Sequence, residues 1–358
     1  MPATDSSAPT LTNVARIGRQ TIKFSIITLV VLIVGRMFLS AFISFWKAIH
    51  PEPPPPPTMG FGKLPAIVFP EQDPDQVPKS YRLELATASF PSFGDRAKVF
   101  LALKSAPSLL ADQEARRVAQ IYNFVFEPQV LDERTYRWTR SEPLESTFDL
   151  DIQNMHFVFK TDYLSRPDLI LNKNLPDDFE SVNLLKTFLR SANLLPEDVA
   201  TSSGDISYLK SLGSELEEAV SLSDADFVKV DLNRYPIDGE FRMYTPGGYK
   251  GTITAIITGV LRGNDAILQM EYNYQAIDYL TVETYPLRSP QEAWKLLQAG
   301  EGFTLSDQKL EEAVIRNVYL AYFDSFVEQE YLQPIFVFEG DDAFLGYVPA
   351  LDPRVVAD

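Results

Sequence analysis

Apolar and polar positions change rhythm three times along this chain. From Phe24 to Trp46 they do not alternate at all: "FSIITLVVLIVGRMFLSAFISFW" is 23 residues with one charge. A helix of that length spans the roughly 30 Å hydrocarbon core of a bilayer. The run is too long for the apolar region of a cleaved leader, and no small-x-small cleavage site follows Trp46. Arg16, Arg19 and Lys23 precede it, whereas Lys47 and an acidic region follow. The positive-inside rule then makes residues 1–23 a cytoplasmic tail and 24–49 an uncleaved transmembrane anchor, with the rest outside.

Helical spacing puts Arg36, Ser40, Ser44 and Lys47 on one face of the anchor, at steps of four, four and three. An arginine near the middle of a span costs about 2.5–3.5 kcal/mol on insertion scales. Two readings explain it. The polar stripe faces another membrane helix, with Ser40 and Ser44 as a small-xxx-small contact, or Arg36 snorkels to a headgroup. The second rhythm is "HPEPPPPPTMGFG", where Pro53 to Pro57 favour a polyproline II rod of about 3 Å per residue. Residues 50–58 read as a stiff stalk that lifts the body off the bilayer.

Beyond the stalk, helical periods give way to strand alternation three times. In residues 59–170, Ala111, Ala115, Val118, Ala119 and Tyr122 share a helical face within 108–122. Alternation follows at Tyr136 and Trp138, at Phe148, Leu150 and Ile152, and in "HFVFKTDYL". In residues 171–287, Asp178 is placed to cap a helix carrying Val182, Leu185, Phe188 and Leu189. Strands resume at Val228, Val230 and Leu232. A hairpin is then expected from Phe241 onward, with Pro246-Gly247-Gly248 and Gly263-Asn264-Asp265 as its turns.

In residues 288–358, Ser289, Pro290, Glu292 and Gly300 mark both ends of a helix. Strand 313–324 and a closing hairpin follow. In that hairpin Glu339 to Asp342 form the turn, Gly340 supplying a positive φ and the acids facing water. No βαβ alternation with short loops appears, which disfavours a doubly wound parallel sheet. The expected class is α+β: an N-terminal transmembrane helix followed by tandem helix-plus-antiparallel-sheet units.

Composition narrows the chemistry. The chain has 358 residues, 45% of them apolar, which is enough for sizeable cores. With no cysteine, disulfides, thiol nucleophiles and thiolate metal sites are excluded. The two histidines, His50 and His156, lie far apart, which disfavours a zinc site or a Ser-His-Asp triad. His156, among apolar residues on a strand, reads as a core or edge histidine. The formal charge is −17, and residues 1–58 hold five basic and two acidic side chains. That leaves 27 basic against 47 acidic in the body, which disfavours nucleic acid and anionic lipid as partners.

No G-x-S-x-G, phosphate loop or H-E-x-x-H occurs. The stretch "DADFVKVD", Asp224 to Asp231, lacks the glycine and final glutamate of an EF-hand loop. A looser calcium site there, or at Glu339, Asp341 and Asp342, is the nearest thing to a metal site. No catalytic, cofactor-binding or metal residue is assigned. Tyr272, Tyr274 and Tyr279 form the densest aromatic cluster: a candidate contact surface, or cross-strand pairs within a sheet.

The order of "EAWKLL", "VYLAYF", "YLQPIFVFEG" and "YVPAL" resembles the last unit of PepSY-like domains in membrane-anchored extracytoplasmic regulators of the YycH/YycI type. Leu320, Tyr322, Tyr331, Leu332, Pro334, Phe336 and Tyr347 carry the resemblance, which covers residues 288–352. Where that family usually has a tryptophan-containing pair beside the proline, this chain has Ile335-Phe336. The resemblance implies a bacterial, noncatalytic envelope protein that binds or regulates another membrane or envelope protein. Two alternatives remain open: a structural component of an envelope machine, and a cell-wall or carbohydrate-processing enzyme using a carboxylate pair.

Overall fold

The computed structural model describes residues 11–49, 56–74, 77–87, 89–171, 174–213 and 215–357, with no side-chain description for 11–15, 17, 20 and 47–49. Most of the expected stalk and the Lys47 side chain therefore lie outside the described residues. The chain divides after Pro56 into an N-terminal unit and a body. Among its described residues the first unit has one helix, α1 (Leu11–Ile49). Its segment Thr21–Trp46 has a mean hydropathy of 2.5 and buries nothing, so by length and composition it is able to cross a membrane. Arg36, Ser40 and Ser44 are all exposed on it. The Ser40 hydroxyl donates to the Met37 carbonyl at 2.9 Å, so the helix itself satisfies that group.

The body opens with β1 (Ser80–Leu83) and β2 (Arg96–Ala102), then α2 (Ala111–Ile121) and four strands: β3 (Gln129–Val130), β4 (Thr135–Arg140), β5 (Ser146–Asp151) and β6 (Phe157–Thr161). Helices α3 (Asp178–Ser191) and α4 (Glu197–Ala200) precede β7 (Asp205–Leu212), β8 (Glu215–Glu218) and β9 (Phe227–Leu232). Next come β10 (Met243–Tyr244), β11 (Ile253–Ile257) and β12 (Ile267–Tyr272). The C-terminal part is β13 (Ile277–Pro286), α5 (Pro290–Gln298), β14 (Phe303–Leu305), β15 (Glu312–Phe323), β16 (Tyr331–Gly340) and β17 (Leu345–Pro349).

These elements form a mixed α+β body of two large sheets. A nine-stranded antiparallel sheet runs β3-β4-β5-β6-β12-β11-β9-β7-β8. Helices α2 and α3 cover it through Val118, Ala119, Leu185 and Phe188, which pack on Phe148, Phe157, Val230 and Met270. The other sheet has eight strands, with β15, β16 and β17 at its centre and β2 and β13 attached. It is mixed and not purely antiparallel, because β1 and β10 pair with β15 in parallel.

Strand pairing thus cuts across the expected sequence boundaries. β6 joins β12 within one sheet, and β2 joins β13 within the other. The span from α2 to β12, apart from β10, is an insertion between the two halves of the eight-stranded sheet, so the body is not three successive units. Alternation reveals which face of a strand is buried; it does not reveal the strand's neighbour.

The same limit explains Pro246-Gly247-Gly248. It is a local turn, with Thr245 and Gly248 bridged, yet the flanking β10 and β11 belong to different sheets and form no hairpin. Gly263 to Ala266, by contrast, does close the β11–β12 hairpin.

Strand β16 is buried continuously from Leu332 to Phe338 because both of its faces are covered. Phe336 and Phe338 pack under α5, whereas Ile335 and Val337 pack with Phe303, Tyr347 and the incoming Ile67 and Phe69. Burying such a side chain is worth about 1.5–3 kcal/mol. Helix α5 has both halves of its capping box: Glu292 N–H donates to Ser289 Oγ at 3.2 Å, and Ser289 N–H donates to Glu292 Oε2 at 3.0 Å.

The β16–β17 connection corrects two expectations. The positive φ angles fall on Asp342 (56°) and Ala343 (54°), not on Gly340. Gly340 is needed for close approach, since a Cβ there would lie 2.5 Å from the Val314 carbonyl oxygen. Nor do the acids face only water. Arg316 donates to Asp341 at 2.6 Å and holds its carboxyl below the usual range. Asn317 donates to Glu339 at 2.9 Å.

Candidate functional site

Where the insertion meets the eight-stranded sheet, four segments converge on one guanidinium. Arg234, just after β9, is 4% exposed. Its Nε donates to Asp324 Oδ2 at 2.6 Å and its Nη1 donates to Asp198 Oδ2 at 2.6 Å. Nη2 donates to the Gln275 carbonyl. The Tyr274 ring lies 4.1 Å from Arg234 Cζ, in cation–π range. Asp198 comes from α4 and Asp324 from the end of β15, 36 and 90 residues away from Arg234 in sequence.

The surrounding groups complete the network. Asp198 accepts the Tyr274 hydroxyl at 2.9 Å on Oδ1 and the Tyr279 hydroxyl at 2.7 Å on Oδ2. Gln275 donates to the carbonyls of Leu103 and Gln329 and accepts the Gln329 N–H. His156 Nε2 lies 3.2 Å from the Tyr274 carbonyl oxygen, which fits a neutral ring donating from that nitrogen. Burial holds its pKa below the ordinary 6.5.

Burial works against the Arg234 cation, yet Asp324 and Asp198 outweigh it and hold its pKa well above the ordinary arginine value. Burial pushes the Asp324 carboxyl up, opposed by Arg234. With a guanidinium at 2.6 Å that cannot release its proton, the ionised pair is the form the site holds at neutral pH.

Directly outside this network lies a groove of about 630 Å³. Its floor is Phe100 of β2 and Val282 of β13, which are register partners. Tyr279 stands edge-on to Phe100 at 5.7 Å. Glu197 and Asp198 line it beside the loop from Tyr235 to Gly239, the Tyr235 N–H donating to the Asp198 carbonyl at 2.9 Å. Asp238 (φ 55°) and Gly239 (φ 74°) give that loop two successive positive φ angles, which an Asp-Gly tight turn supplies. Across the mouth, Lys98 Nζ reaches Asp238 at 2.6 and 2.8 Å.

Strand β13 is also locally extruded. Its pairing with β2 jumps from Asp278 to Val282, so three residues leave the ladder. Asp278 accepts the N–H groups of Leu280 and Thr281 and the Thr281 hydroxyl, which fixes the bulge. Leu280 at its tip is 94% exposed. Bulges of this kind re-aim side chains beside functional surfaces.

Few groups here are available for proton transfer. Asp198 has a donor on each oxygen, Asp324 is sealed against Arg234, and Asp238 is held by Lys98. Glu197 lines the groove, and no partner is found for it among the described residues. No group of three or more metal-ligating side chains gathers among the described residues. In the candidate calcium stretch, Asp224 takes Lys210, Asp226 takes the Ser211 N–H and Asp231 takes Thr254.

The three tyrosines separate. Tyr272 is 5% exposed in the nine-stranded sheet's core and donates to the Leu194 carbonyl, so it offers no outer contact surface. Tyr274 and Tyr279 meet on Asp198, and Tyr279 alone of the three lines the groove. The residues that sequence reasoning missed are Arg234, Asp198, Asp324, Phe100 and the 235–239 loop. Only "YPIDG", a turn signal after a strand, hinted at a site there.

No family model and no curated protein matches this chain. It is similar to a solved uncharacterized protein from Eubacterium rectale ATCC 33656 at 12% identity, over 68% of this chain and 76% of that chain. The TM-score of 0.30 is too low for that likeness to assign a fold or a function.

Proposed function

We propose that this chain is a noncatalytic, membrane-anchored extracytoplasmic protein that binds or regulates another envelope or membrane protein. The observation that carries this reading is the groove. It is open, floored by aromatic and aliphatic side chains, and its two buried carboxylates, Asp198 and Asp324, are both held by Arg234. Such a surface suits recognition, whereas a carboxylate pair for hydrolysis needs one acid and one base free to exchange protons. Support for the setting comes from the 26-residue apolar segment of α1, the basic residues before it and the acidic body after it. The PepSY-like resemblance at residues 288–352 points the same way.

The test is copurification from membranes solubilised in mild detergent, with wild type compared against Tyr235→Ala and Leu280→Ser. Both residues are exposed, so the fold tolerates the changes. A partner retained by wild type and depleted with both variants supports the reading. An unchanged set of copurifying proteins, or hydrolysis of cell-wall glycan by purified protein, overturns it.

A further inference from the structure

We infer that the groove takes an extended peptide segment of its partner in which a lysine or arginine is flanked by apolar side chains. This rests on the binding role proposed above and adds the chemistry of the occupant.

Charge decides the sign. The groove and the cluster behind it hold two cations, Lys98 and Arg234, against four carboxylates: Glu197, Asp198, Asp238 and Asp324. Two negative charges are left over, in a body that is itself strongly acidic. Arg234 is committed to Asp198 and Asp324, so Lys98, itself paired with Asp238, is the one cation among the residues lining the groove, against three carboxylates. Glu197 is exposed, and no partner is found for it among the described residues; it lines the groove next to Asp198, whose carbonyl accepts the Tyr235 N–H at 2.9 Å. Tyr235 is 60% exposed, so its ring face is free to stack on a guanidinium or ammonium group.

Shape and polarity decide the rest. A bare metal ion or a compact polyamine has no use for a floor of Phe100, Val282 and Tyr279, whereas apolar side chains beside the cation do. The extruded bulge is fixed by Asp278 before any ligand arrives and carries Leu280 into solvent. It offers a rigid apolar contact one residue along the chain from Tyr279, which lines the groove, with little ordering entropy left to lose on binding. The ion pair from Lys98 to Asp238 is about half exposed on both sides. A pair of that kind is worth little and opens readily, which frees Asp238 as a second carboxylate for the incoming cation.

The test uses the full chain in nanodiscs of zwitterionic lipid and fluorescence anisotropy. The probes are a fluorescein-labelled heptapeptide alternating leucine with arginine, and a matched one alternating leucine with glutamine. The arginine peptide is expected to bind, and the glutamine peptide at least tenfold more weakly. Glu197→Gln and Tyr235→Ala should each weaken the arginine peptide by about tenfold for Glu197, the worth of one charge-assisted hydrogen bond, and by about threefold or more for Tyr235. Glu217→Gln on β8 should change it less than twofold.

Equal binding of both peptides, or an equal loss from Glu217→Gln, overturns the proposal, because the attraction is then diffuse. Binding of labelled chitotetraose in place of the peptide overturns it as well. If a copurified partner depends on Tyr235 but is not displaced by the arginine peptide, the binding role stands and the cationic peptide fails. If no partner depends on the groove, the binding role itself fails.

Discussion

Replacing Arg234 with methionine removes the one cation that faces Asp324. The Asp324 side chain is 3% exposed, and no other cation reaches it within ion-pair distance among the described residues. Breaking a buried pair from one side costs about 3–5 kcal/mol, because the remaining charge has neither water nor counter-ion. Against a typical stability of about 5–15 kcal/mol, that is a large fraction. At a urea m value of about 3 kcal/mol per M, the midpoint should fall by about 1–1.7 M.

The assay is urea unfolding followed by tryptophan fluorescence in a Trp46→Phe background. Trp138 of β4 then reports the nine-stranded sheet, and Trp294 of α5 reports the eight-stranded one. Without Arg234, burial and then the Asp198 charge raise the folded pKa of Asp324 above the unfolded value. The folded state then keeps a proton that the unfolded state has released, so the deficit is full near pH 8 and shrinks toward pH 4. Arg234→Met with Asp324→Leu should recover about 1–3 kcal/mol of the loss. A deficit under about 1 kcal/mol, or one independent of pH, would refute the view that this cluster holds the insertion to the sheet.

Further outcomes follow from the same geometry. Gly340→Ala should destabilise measurably in the same urea assay, since its Cβ meets the Val314 carbonyl oxygen at 2.5 Å, whereas Asp342→Gly at φ 56° should be neutral or stabilising. Burial keeps His156 neutral in the fold below its ordinary pKa of 6.5, so the unfolded chain takes the proton first and stability falls as pH drops through that value. His156→Gln should flatten the decline in urea midpoint between pH 7 and pH 5. Arg36→Leu should change the copurifying membrane proteins if the polar stripe of α1 meets another helix. An unchanged set removes that contact.

The legible parts of this fold are those whose signals are local. Helix α5 announces both ends, because Ser289, Pro290 and Glu292 act within one turn and Gly300 takes φ 78° just beyond it. The long apolar strands β15 and β16 could likewise be located from their own residues. Topology was not legible: nothing near residue 97 or 285 states that β2 and β13 will meet across the whole insertion.

The groove was hidden for the same reason. Arg234, Asp198 and Asp324 are single charged residues in unremarkable surroundings, and only the pairing of distant segments turns them into a buried network. Gly340 was misread because a glycine in a turn satisfies either of two needs, positive φ or close approach, and sequence does not distinguish them.

The central claim is that the groove faces the outside of the cell and holds a protein partner. Because the chain has no cysteine, Tyr235→Cys creates a unique label site at the groove mouth. A membrane-impermeant maleimide-benzophenone is added to intact cells, followed by irradiation and analysis of adducts. The account predicts labelling without lysis and one discrete cross-linked protein, absent when the cysteine is moved to Leu212 on β7. Labelling only after lysis, or labelling with no groove-specific adduct, would contradict it.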